Sequence, residues 1–197
     1  MNSLNLLNFN IITTELKTTL EQLIKKTKIK LEHILNSSIN TNTIQNIDIF
    51  DQELDIFWLT ISHLNAVNNS KELRQAYNEC LNIMINYYNF VNQNVKLQQV
   101  LKKIYHSADK QVKYLIENIN LTFKLEGGEL NATQKQLFNK INQQLAALEA
   151  KFEQNVLDAT MQWQFHIKDE SIAINWPETR KKIAAKLANE QQKNGYI

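Results

Sequence analysis

The chain has 197 residues but only three glycines and one proline. Folds built from strands and tight turns draw heavily on both residues, because they supply the backbone angles that reverse a chain. A chain so poor in helix breakers is expected to be helical over most of its length. The expected fold class is therefore all-α: an up-and-down antiparallel helical bundle. One short extended segment has room near 165–174, where the apolar period weakens.

The length suits one globular domain or two small ones, and it can bury a core without covalent staples. The single cysteine, Cys80, excludes an internal disulfide and any multi-cysteine metal site. The 22 basic and 20 acidic residues leave a net charge of +2, without the basic excess of a nucleic-acid binder. No run approaches the roughly 18 apolar residues of a membrane span. The stretch from Met1 to Asn8 lacks the charged and apolar regions of a secretory signal. These features point to a cytoplasmic protein with neither nucleic acid nor membrane as partner. Twenty of the 22 basic residues are lysine, beside abundant Asn and Ile, which reads as the stamp of an AT-rich bacterial genome.

The apolar pattern places helices at 13–36, 47–67, 70–92, 95–105, 108–125, 132–164 and 177–194. The first, capped by Thr13 or Thr14, carries the stripe Leu16, Leu20, Leu23, Thr27, Leu31, Ile34. The second carries Ile47, Phe50, Leu54, Phe57, Ile61 and Leu64. Asn69-Ser70-Lys71-Glu72 has the form of a cap for the third, whose stripe is Leu73, Tyr77, Cys80, Met84, Tyr87, Val91. Glu126-Gly127-Gly128-Glu129 reads as a turn, and Asn131 with Gln134 as the cap of the longest helix. That helix shows Leu137, Ile141, Leu145, Leu148, Phe152, Val156, Ala159 and Trp163 on one face, so Trp163 is expected to be buried with Cys80. Pro177 suits the first turn of the last helix, which should turn Ile183 and Leu187 inward and end before Gly195 as a cap.

The same residues offer little chemistry. His33, His63, His106 and His166 show neither a His-Glu-x-x-His pattern nor any i, i+4 pair. There is no Gly-x-Ser-x-Gly elbow and no phosphate-binding glycine loop. Lys25, Lys26, Lys28 and Lys30 fit a solvated face near a helix C-terminus better than an anion site. Cys80 lies in a packing seam, His63 reads as a helix-packing histidine, and Asp158 as a hydrogen-bonded structural carboxylate. No catalytic, cofactor-binding or metal-binding residue can be assigned.

Two segments carry a resemblance. Ser62-His63-Leu64-Asn65 followed by Leu73-Arg74-Gln75-Ala76-Tyr77, and Asn155-Val156-Leu157-Asp158-Ala159-Thr160 further on, resemble the thimet oligopeptidase family of zinc metallopeptidases, in its oligopeptidase A-like branch. The closing Glu190–Ile197 stretch fits as well. The resemblance covers nearly the whole chain as the N-terminal helical domain, 1–197. It implies a peptidase that degrades short peptides inside a deep channel, with this region as scaffold and channel wall. The family's zinc ligands belong to a later catalytic domain on a His-Glu-x-x-His helix, and no position here matches them. Zinc would be the cofactor of a full-length enzyme, with none held by this chain. The end at Gly195-Tyr196-Ile197 looks like a cut, so the chain alone is expected to be inactive. Its expected partners are the catalytic domain, short peptides in the intact enzyme, and further copies of itself through exposed apolar residues such as Phe138, Leu157, Met161 and Phe165. The alternatives are a non-enzymatic helical binding module and the remnant of a truncated gene.

Overall fold

Leu16, Leu20, Ile24, Thr27, Leu31 and Leu35 recur every three or four residues and lie buried along one side of α1, Leu16–Asn36. This helix is the spine of an all-α bundle in the computed structural model, which describes residues 13–40, 42–67 and 70–197. It is followed by α2 (Thr43–Ile49), α3 (Gln52–Val67), α4 (Lys71–Asn92), α5 (Val95–Ser107), α6 (Lys110–Leu125), α7 (Ala132–Gln162) and α8 (Glu178–Glu190). Short 3-10 turns at Thr13–Glu15 and Glu170–Ala173 complete the order.

The chain divides into two compact units at Leu148 and Glu149, within α7. The first unit has two cores, both reached by α1. Leu16, Leu20 and Ile24 pack with Leu54 and Ile61 of α3 and with Leu73, Cys80, Met84 and Tyr87 of α4. Leu31 and Leu35, two turns further on, pack with Ile47, Phe50, Leu97, Val100, Leu101 and Ile116. A buried side chain of this size contributes about 1.5–3 kcal/mol, so the cores rather than the caps hold the helices.

This double core explains why the expected 47–67 helix is broken. The chain turns at Phe50 and Asp51, between α2 and α3. Phe50 enters the second core and Leu54 the first, which one straight helix would have to serve from a single stripe. Local caps also differ from expectation. Neither Thr13 nor Thr14 caps α1, whose N-cap is Glu15 without a side-chain bond. Ser70 caps α4 by accepting from the Leu73 amide at 3.1 Å, while Asn69 lies outside the described residues. Asn131 and Gln134 form the expected reciprocal pair at α7: Asn131 Oδ1 accepts from the Gln134 amide at 3.0 Å, and Gln134 Oε1 from the Asn131 amide at 3.2 Å. The Gly127-Gly128 turn closes α6. Gly127 takes φ +78°, its amide bonds Lys124 O, and the Gly128 amide bonds Phe123 O at 2.7 Å.

The second unit, Glu149–Ile197, is small and its buried residues are mostly alanine. Ala173, Ala184, Ala188 and Ile167 are buried, whereas Ile183 and Leu187, expected inward, are 63% and 42% exposed. The inward face of α8 is thus the alanine face, which allows close backbone approach: the Ile197 amide donates to Ala184 O at 3.2 Å. Ile167 and Tyr196 exchange both backbone bonds, at 2.8 and 3.0 Å, in an isolated antiparallel bridge. This is the extended piece foreseen near 165–174; no sheet forms among the described residues. Gly195 serves that bridge at φ +93° and does not cap α8. The helix is closed instead by Gln192 at φ 57°, with the Gln192 and Lys193 amides bonding Asn189 O and Ala188 O.

Candidate functional surface

The four histidines lie far apart in the sequence and on different elements. His33, His63 and His106 are exposed on α1, α3 and α5. His166 is half-buried, with Nε2 2.6 Å from Asn194 O, which ties down the same strand-like pairing as Ile167 and Tyr196. Among the described residues no three His, Cys, Asp or Glu side chains are placed to hold a metal ion. A zinc site takes at least three such ligands, so the described residues do not fit one.

Cys80 is fully buried in the first core, where burial pushes its thiol up to about 11. It is a packing residue, as its place in the seam implies. Three lysines of α1 are engaged with protein groups. Lys26 donates to Glu53 of α3 at 2.7 Å, Lys30 lies 3.6 Å from the same carboxylate, and Lys28 sits over the Phe90 ring. The bond from Lys26 holds the Glu53 carboxyl below its usual range. These pairs are about half exposed and orient α1 against α3 more than they stabilise it.

The most perturbed protonation in the first unit lies where α4 meets the α2–α3 break. Tyr87 donates to Asp51 Oδ2 at 2.9 Å. Burial raises the Asp51 carboxyl, against the opposing effect of that bond, and burial with the Asp51 charge raises Asp55. Burial also pushes the Tyr88 phenol up to about 12 and Tyr87 further. This group joins carboxylates to phenols that stay protonated, with no nucleophile among them. Its bonds fasten one helix to another. Asp158 is half-buried on α7.

The feature missed by sequence reasoning is the orientation of α7. Its apolar stripe faces outward: Leu137, Ile141, Leu145, Leu148, Phe152 and Val156 are 48–68% exposed, and Trp163, expected to be buried, is 73% exposed beside Phe165. The opposite face is the one turned in. Ala150 is buried, and Asn139, Gln143 and Ala146 are half-buried. Gln93 at the end of α4 donates to both Asn139 Oδ1, at 2.8 Å, and Glu126 O, at 2.9 Å. Gln143 donates to Asn86 Oδ1 at 2.8 Å. Of the residues expected to lie on an exposed apolar face, Met161 and Phe165 do, whereas Phe138 and Leu157 are half-buried. The exposed face is the main stripe itself. The sequence held one signal for this: Asn139, Gln143 and Ala146 offer a hydrogen-bonding and close-packing face as regular as the apolar one.

The helical layers and the pairing of α1 with α3 and α4 define an all-α helical domain. Residues 12–120, more than half of the chain, match the family model described as the neurolysin/thimet oligopeptidase N-terminal domain. Oligopeptidase A of Haemophilus influenzae is 32% identical over 185 residues, 91% of this chain and 26% of that protein. Oligopeptidase A of Escherichia coli is 30% identical over 161 residues, 79% of this chain and 24% of that protein. A probable cytosolic oligopeptidase A of Arabidopsis thaliana is 28% identical over 150 residues, 74% of this chain and 21% of that protein. The chain therefore belongs to the neurolysin/thimet oligopeptidase family and carries its N-terminal domain. It spans about a quarter of the length of the bacterial relatives. No helix among the described residues is long and apolar enough to cross a membrane.

Proposed function

We propose that this domain is the N-terminal scaffold of an oligopeptidase A-like enzyme that degrades short peptides in the bacterial cytoplasm, and that it lacks peptidase activity alone. The observation that carries the reading is the family match over most of the chain at only a quarter of the relatives' length. The remaining length has room for the catalytic domain that would bind zinc and activate water. The contribution of the present residues would be a rigid wall: two cores share one spine helix, which fixes the helices around a substrate channel and limits entry to short chains. The domain as a whole, 1–197, would work as that wall, with the catalytic domain as its partner.

The test is direct. Purified 197-residue protein should leave a quenched short peptide uncut, with and without added zinc. Cleavage that a chelator abolishes and that survives further purification would overturn the reading. A second reading, a non-enzymatic helical binding module, is favoured by one observation, the outward apolar stripe of α7.

A further inference from the structure

Each of α1 to α6 gives at least one buried apolar side chain to the two cores of the first unit. The part of α7 that belongs to this unit, 132–148, gives none among the described residues, and no residue within it is buried. Buried apolar area is what ties a helix to the cooperative unfolding of its domain. The attachment of 132–148 is therefore of another kind.

Side-chain amides make it. Gln93 of α4 donates to Asn139 Oδ1 at 2.8 Å, and Gln143 donates to Asn86 Oδ1 of α4 at 2.8 Å. Asn86, Asn89 and Gln93 follow one another at spacings of three and four, so they share one face of α4. Asn89 thus lies in the row between the two bonds. It is 7% exposed, and its Nδ2 has no hydrogen-bond partner. A buried donor without an acceptor is unfavourable in the docked state and regains its partner in water. The seam therefore sets two amide bonds, each of small net strength because water replaces them on release, against one group that favours release.

We propose that 132–148 is a detachable strap, docked on α4 through this amide seam and able to release while both cores of the first unit stay folded. Little apolar surface opposes the release, since Leu137, Ile141 and Leu145 are already 51–61% exposed. The turn ahead of the strap is its fixed end. Gly127 and Gly128 are buried. A Cβ on Gly127 would press on Leu130 and Phe138, and one on Gly128 would strike the Phe123 ring. These three side chains close over the turn, and Gln93 secures it to α4 through Glu126 O at 2.9 Å. Apolar contact at the turn and amides along the helix make a pivot and a latch. The wall of the scaffold reading is the double core, which release of the strap leaves whole, so the strap does not rest on that reading.

Hydrogen exchange of the 197-residue protein, read by mass spectrometry on fragments, tests the strap. A free helix of this length is marginal in water, so release exposes its amides. Fragments from 137–148 should exchange at least about a hundredfold faster than those from the middle of α1, and low urea should hardly change their rate, because local opening exposes little surface. Gln93→Ala removes the donor that Asn139 and Glu126 O share and should quicken exchange at 137–148 by about tenfold. Asn89→Ala removes the unpartnered amide and should slow it several-fold, to roughly a fifth of the parent rate. Exchange at 137–148 as slow as in α1, and rising as steeply with urea, would overturn the proposal, because α7 would then open only with the cores. So would an unchanged rate at 137–148 in Gln93→Ala, or a faster one in Asn89→Ala.

Discussion

The phenol of Tyr87 on α4 donates to Asp51 Oδ2 at 2.9 Å, and Asp51 occupies the break between α2 and α3. That bond ties α4 to the bend that the two cores require. With the bend held, Phe50 is delivered to one core of the first unit and Leu54 to the other. Tyr87→Phe keeps the ring in its buried place and removes the donor from a half-buried carboxylate. We predict a loss of about 1–3 kcal/mol, read as a lower urea midpoint with an unchanged slope. An unchanged midpoint would mean that the bond does not hold the bend.

The same carboxylate gives a pH prediction. Burial raises Asp51 above its usual value, and burial together with the Asp51 charge raises Asp55. A carboxylate raised in the folded state binds protons more readily there than when unfolded. Stability therefore falls as pH rises from near 3.8 through the raised folded value, and the charged form is a burden at neutral pH. Asp51→Asn retains an acceptor for Tyr87 without the charge. The variant should be more stable than the parent at pH 7, and the difference should shrink as pH falls below the folded value. Urea midpoints at pH 7 and pH 4 test this; a variant less stable at pH 7 contradicts it.

Cys80 is fully buried and its thiol is raised to about 11 by burial. Under native conditions at pH 8 it should react with a thiol reagent only through opening of the fold, far more slowly than in urea. Cys80→Ala should cost less than Cys80→Ser, because the serine hydroxyl enters an apolar seam between Leu73 and Met84 at an added cost of about 1–3 kcal/mol. Fast native labelling, or equal stability of the two variants, would show that α4 does not pack as described.

Sequence patterns were informative wherever one stripe served one core. Leu73, Cys80, Met84 and Tyr87 on α4 were legible because their spacing and their burial agree. The Asn131–Gln134 cap and the Gly127-Gly128 turn were legible because their chemistry is local. The break at Phe50–Asp51 was not, since its cause is a second core assembled from residues 31–116, far away in the chain. The orientation of α7 failed for a related reason. Hydrophobic spacing shows which side chains share a face, but not which face the fold uses. Here Gln93 and Asn86 offer hydrogen bonds to the polar side, and the fold takes that side. On α8 the buried alanines were passed over for larger neighbours, because close backbone approach leaves no trace in hydropathy. The candidate surface was thus visible as a stripe and misread in direction.

Two left-handed backbone positions in the second unit should respond with opposite signs. At Gly195, φ +93°, a Cβ would run into the carbonyl oxygen of Ile167, the oxygen that accepts the Tyr196 amide at 3.0 Å. Gly195→Ala should break the bridge, and hydrogen exchange of the Ile167 and Tyr196 amides should quicken by at least about tenfold, equivalent to a loss of roughly 1.4 kcal/mol. At Gln192, φ 57°, a side chain already occupies a conformation that costs an L-residue roughly 1 kcal/mol. Glycine there relieves that strain while leaving the Lys193 amide free to bond Ala188 O, so Gln192→Gly should slow exchange at the end of α8. Glycine's gain is reduced by its greater freedom in the unfolded chain, so the stabilisation should stay below about 1 kcal/mol. Slower exchange at Gln192→Gly together with faster exchange at Gly195→Ala would establish that backbone conformation, not side-chain burial, limits this alanine-lined unit. The same sign at both positions would show that the Ile167–Tyr196 bridge does not depend on the turn that follows α8.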